Sequence, residues 1–130
     1  MKRKRGSTML EGALMMTTFI ILLVGAMDFG RLGLAYNSIT YAAHQGARFA
    51  STSGSSSGHV ATAAAIQSNV DNNLVGLNAT GLTVSVTWTP NNNPGSQVQV
   101  AVSYRFQPLV VPISSSALTV KSTAVDTISQ

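Results

Sequence analysis

Glu11 is the last charged residue before residues 12–27, which carry no charge at all; the next is Asp28. A carboxylate at the mouth of such a run is expensive unless a cation meets it, so it marks a functional position. Just upstream lie Lys2, Arg3, Lys4 and Arg5, then Gly6 and Ser7. Were the chain cut between Gly6 and Ser7, the new α-amino group of Ser7 would supply the cation, on the same chain or on one packed alongside. That is the chemistry of a processed substrate rather than of an enzyme.

Other chemistries lack their residues. His44 and His59 are separated by a Ser/Gly stretch, and no His-Glu-x-x-His, Cys-x-x-Cys or carboxylate cluster offers a metal site. Serines near His59 and Asp71 come without Gly-x-Ser-x-Gly. Gly54 and Gly58 precede a helical pattern, yet no Lys follows at phosphate-loop spacing. No cofactor is expected. Asn78-Ala79-Thr80 satisfies the glycosylation triplet, which also arises often by chance. Cysteine is absent, so burial and backbone pairing alone must hold the fold. The formal charge of +4 equals the four cations at residues 2–5; Arg31, Arg48, Arg105 and Lys121 balance Glu11, Asp28, Asp71 and Asp126. Without the leader the chain is near neutral, which argues against nucleic acid as a partner.

The elements that position Glu11 follow from periodicity. Residues 7–27 reach about 31 Å as a helix, close to a bilayer core of about 30 Å, and the basic leader should stay cytoplasmic. Beyond the span, Phe29, Leu32, Tyr36, Ile39, Ala43, Gly46 and Ala50 recur at spacings of three and four, with Arg31, Ser38, Tyr41, Gln45 and Arg48 opposite. One spine helix over residues 7–50 results, with Asp28 and Arg31 spaced to pair as a solvated couple at the outer interface. Residues 51–58, Ser and Gly with one Thr, read as a flexible connector. Val60, Ala63, Ile66, Val70, Leu74 and Leu77 predict a second, shorter helix within residues 59–77.

The period then switches to two. Leu82, Val84, Val86 and Trp88, and after a Pro/Asn turn Val98, Val100, Val102, Tyr104 and Phe106, form the apolar face of a hairpin. Past a loop over residues 108–112, Leu118, Val120 and Ala124 share that face on a third strand. The expected fold class is α+β: a long N-terminal helix, a short second helix and an antiparallel sheet of about three strands. The domains are a leader (1–6), a spine (7–50, transmembrane over 7–27), a connector (51–58) and a small α+β domain (59–130) outside the cytoplasm.

Basic leader, Gly6, Ser7, the apolar pair Met9-Leu10, Glu11 and an apolar helix together resemble the class III signal of type IV pilins and pseudopilins. Asp28-Phe29-Gly30-Arg31, Asn37, Thr40, Ala42-Ala43 and Gly46-Ala47-Arg48-Phe49-Ala50 are similar to the TadE-like family of pseudopilins from tight-adherence, Flp-type pilus systems. Gly12 stands where an aromatic is usual in these families, and Thr17-Thr18 where many members carry Pro. The resemblance implies a pilin-like fold and cleavage after Gly6 by a prepilin peptidase. It also implies assembly through the N-terminal helix with other pilin or pseudopilin subunits, with Glu11 matched by the Ser7 amine of a neighbour. Inner-membrane lipid and the pilus assembly platform are the further partners, with the C-terminal domain periplasmic or extracellular. Alternatives are a major filament subunit with the same signal, a secreted protein cut near Val24-Gly25-Ala26, and an envelope protein that is anchored and never polymerises.

Overall fold

A computed structural model describes residues 3–109 and 118–129. Helix α1 runs unbroken over Arg3–Thr52, about 75 Å at helical rise. No proline occurs before Pro90, so nothing in its sequence removes an intrahelical hydrogen bond. Thr17 and Thr18, polar side chains in the apolar half, donate to the carbonyls of Ala13 and Leu14 at 2.8 and 2.9 Å. Their hydroxyls are therefore satisfied within the helix. The helix ends where Ser51 and Thr52 turn their hydroxyls onto the Arg48 carbonyl.

Helix α2 covers Ala63–Asn72, shorter than the apolar spacing over residues 59–77 suggested. Its limits are set by caps. Thr62 accepts the Ala65 amide at its start, and Asn73 donates its side-chain amide to the Asn69 carbonyl at its end. Gly76, at φ 72°, then turns the chain away. A single 3₁₀ turn, Ala79–Gly81, leads into the sheet.

Strands β1 (Leu82–Thr89), β2 (Gln97–Arg105) and β3 (Thr119–Thr127) form an antiparallel sheet in the order β1-β2-β3. The register aligns Val86, Val100 and Ala124 in one row. The alternation read from the sequence holds: Val98, Val100, Val102 and Ala124 are buried, with Ile128 just beyond β3, while Thr83, Ser85 and Thr87 face out. The architecture is thus α+β, one long helix and one short helix on one face of a three-stranded sheet.

The buried face of α1 keeps Ile39, Ala43, Gly46 and Ala50 of the expected seam, with Leu32 half-buried, and departs from it at Phe29 and Tyr36. Ala35, Ser38, Ile39, Ala42, Ala43, Gly46, Ala47 and Ala50 are covered, whereas Phe29 and Tyr36 are exposed. The reason is bulk. A sheet and a second helix meeting on one helix need small residues at the contact, and the Ala/Gly stripe supplies them. A Cβ at Gly46 would meet Val70 Cγ2 at 2.6 Å, so this glycine is what lets α2 approach. Ser38, placed on the polar side by its spacing, is buried and accepts the Val75 amide at 2.9 Å.

The Ser/Gly stretch is tied back rather than loose. Ser55 donates its amide to the Asn92 carbonyl and its hydroxyl to Asn93, and Ala61 donates to the Ser53 carbonyl. These bonds lock it to the β1–β2 turn and position α2 for its return along α1.

Candidate functional site

The helix has two halves of different character. From residue 28 on, one side is covered by the sheet and α2. Before it, Met9, Leu10, Leu14, Met15, Phe19, Leu22 and their neighbours are exposed all round. Among the described residues α1 is the one helix long and apolar enough to cross a membrane, and none of its apolar window is buried. A helix that is apolar on every side and covered on none is stable only in lipid or against other apolar helices.

Glu11 sits in this bare half, exposed, with no hydrogen-bond or ionic partner among the described residues. Ser7 lies one helical turn earlier, also exposed. The helix starts before both, at Arg3, so the Gly6–Ser7 bond lies within its first two turns.

The Asp28-Phe29-Gly30-Arg31 motif splits between two directions. Asp28 is buried; its Oδ1 accepts Arg31 Nη1 at 3.0 Å and its Oδ2 accepts the Leu109 amide at 2.7 Å. The Arg31 guanidinium lies 5.5 Å from the centroid of the Phe106 ring, a cation–π contact. The expected pair forms, but as a clamp on the sheet domain rather than a solvated couple. Phe29 and Gly30 point away and are exposed. Gly46-Ala47-Arg48 divides similarly: Gly46 and Ala47 are buried against α2 and the sheet, and Arg48 is exposed, its carbonyl accepting Ser51 and Thr52.

A second clamp closes the far end. Ser51 donates its hydroxyl to Asp126 Oδ2 at 2.8 Å, and Ser129 donates its amide to the Ser51 carbonyl at 2.9 Å. Sequence reasoning had no handle on Leu109, Ser38 or the Ser51–Asp126 pair, because their partners are 37 to 81 residues distant. A polar residue inside an otherwise apolar stripe was the one signal available for Ser38. Among the described residues no three His, Cys, Asp or Glu side chains gather where a metal could bind.

Fold and site together define a small α+β domain clamped along the second half of one long helix, whose first half is apolar, bare and long enough to cross a membrane. A family model described as TadE-like protein matches residues 6–48. The match begins at Gly6 and ends at Arg48, taking in Glu11 and both motifs and leaving the sheet outside. Neither a curated protein nor a solved structure matched the chain.

Proposed function

We propose that this chain is a non-enzymatic TadE-like pilin or pseudopilin. It is inserted in the inner membrane with its N-terminus cytoplasmic and is cut between Gly6 and Ser7 by a prepilin peptidase. It then assembles through α1 with other pilin or pseudopilin subunits at the base of, or within, a tight-adherence pilus that serves surface attachment. The observation that carries this reading is the bare apolar half of α1, in which Glu11 has no partner among the described residues, on the stretch that the TadE-like match covers. In an assembled bundle of such helices a neighbour's Ser7 amine meets Glu11 and fixes the axial stagger, since an unpaired charge in an apolar core is strongly unfavourable.

Intact-mass spectrometry of the protein purified from its native host tests the processing step. A chain beginning at Ser7, with or without a methyl group, is the expected result. A terminus near Met27 would mean an ordinary secreted domain, and an uncut leader a simple membrane anchor. A major-subunit role differs from a minor one in stoichiometry, measured by quantifying this chain against the other subunits of the isolated fibre.

A further inference from the structure

The chain returns to the level of the membrane far from its span in sequence. The Asp28 contact to the Leu109 amide and the Arg31 contact to the Phe106 ring put residues 106–109 beside the first turn of α1 past the apolar run. Leu109 is 67% exposed there, and Phe29, at the same height on α1, is 77% exposed. Bilayer headgroup regions extend about 5–7 Å beyond the hydrocarbon on each side, so residues within a turn of Asp28 lie inside that layer.

Charge is distributed to match. Val100 packs near Gly46 and Phe106 near Arg31, so β2 runs toward the membrane, and its lower end carries Arg105, with Lys121 on β3 paired two residues above it. The end of the domain nearest the span therefore holds Arg31, Arg105 and Lys121 against Asp28, whereas Asp126 lies at the far end beside Ser51. Arg31 and Arg105 line one open groove of about 810 Å³, together with Leu34, Tyr41 and Tyr104.

We propose that this end of the domain is a second membrane contact, built for an anionic lipid surface: Leu109 and Phe29 enter the interface while Arg31 and Arg105 face lipid phosphates. An apolar side chain flanked by cations is what such an interface accepts, and each cation near an anionic surface shifts the docked equilibrium roughly fivefold. The contact holds the domain at a fixed angle to the span. It must break when the subunit leaves the bilayer. It rests on the reading of residues 7–27 as a span.

The test uses the full chain in vesicles. Trp88 is the protein's single tryptophan, so in a Trp88→Phe background a tryptophan introduced elsewhere reports its own depth. Three variants, Leu109→Trp, Leu22→Trp and Val125→Trp, change exposed positions at the proposed contact, within the span and on the distal part of β3. They are placed in phosphatidylcholine vesicles with and without phosphatidylglycerol, carrying lipids brominated high or low on the acyl chain. Quenching of Leu109→Trp by shallow bromines, of Leu22→Trp by deep ones and of Val125→Trp by neither supports the contact, as does stronger quenching of Leu109→Trp when phosphatidylglycerol is present. Leu109→Trp left unquenched beside a quenched Leu22→Trp overturns it while the span stands; an unquenched Leu22→Trp removes the span and the proposal together. Quenching of Leu109→Trp that ignores phosphatidylglycerol overturns the assignment of Arg31 and Arg105 to headgroup phosphates.

Discussion

A methyl group added to a helix glycine has opposite effects depending on what it meets. At Gly33 nothing lies within 4 Å, so Gly33→Ala should raise the stability of the isolated subunit by up to ~1 kcal/mol through helix propensity. At Gly46 the same methyl meets Val70 Cγ2 at 2.6 Å. Val70 sits in a helix with a stiff, branched side chain and cannot swing aside. Overpacking of this kind costs about 1–3 kcal/mol and outweighs the propensity gain, so Gly46→Ala should be net destabilising by roughly 1–2 kcal/mol. Denaturant unfolding in detergent measures both variants, and a Gly46→Ala protein as stable as the parent would mean that α2 does not pack this closely. Asp28 makes a second prediction at this scale. Asp28→Ala removes the acceptor of the Leu109 amide, a loss of about 1–3 kcal/mol if that amide stays buried. Amide exchange at Leu109 should speed up by one or more orders of magnitude, whereas the sheet interior at Val100 should be far less affected.

The elements were legible to different depths. The strands could be read because apolar and polar residues alternate without exception from Leu82 to Thr89, and a pleated strand on a core sorts side chains by parity alone. The existence of α1 was legible from its apolar spacing and from the absence of proline over residues 3–52. Its buried face was legible at Ile39, Ala43, Gly46 and Ala50 but not at Phe29, Tyr36 and Ser38, where the packed side selects small residues over bulky apolar ones. The Asp28-Phe29-Gly30-Arg31 and Gly46-Ala47-Arg48 motifs were legible in the sequence, but not the fact that Asp28 reaches a residue 81 positions away. This difference can be measured. Ser38→Ala leaves the Val75 amide without its acceptor and should destabilise by about 1–3 kcal/mol. Tyr36→Ala, on the side that spacing alone would have buried, is an exposed change and should stay within about 0.5 kcal/mol. Equal losses for the two variants would return the buried face to the one expected from spacing.

At the scale of the whole molecule, clamps at Asp28–Leu109 and Ser51–Asp126 pin the sheet domain along the second half of α1 and leave the first half bare. On the proposed reading, lipid satisfies that half while the subunit is in the membrane, and other apolar helices must replace the lipid once it leaves. Glu11 is the group for which this exchange is hazardous. On the proposed reading it would lie near the cytoplasmic headgroups in the bilayer but among Met and Leu side chains inside a bundle of spans, where an uncompensated carboxylate is unfavourable by several kcal/mol. The proposed cut between Gly6 and Ser7 would create the compensating cation only once the leader is gone, and so would couple processing to assembly through one ion pair. The coupling predicts a dissociation of phenotypes. Glu11→Gln leaves the Gly6–Ser7 bond untouched and should be processed to a Ser7 terminus as the parent is. It should nevertheless fail to co-purify with the fibre, because the neighbour's amine has lost its counter-charge. Gly6→Val should be neither processed nor assembled. Intact mass reports the first step and the subunit content of sheared fibres the second; a Glu11→Gln chain present in fibres at the parental level would remove the ion pair from the mechanism and leave apolar packing of the spans to set the stagger unaided.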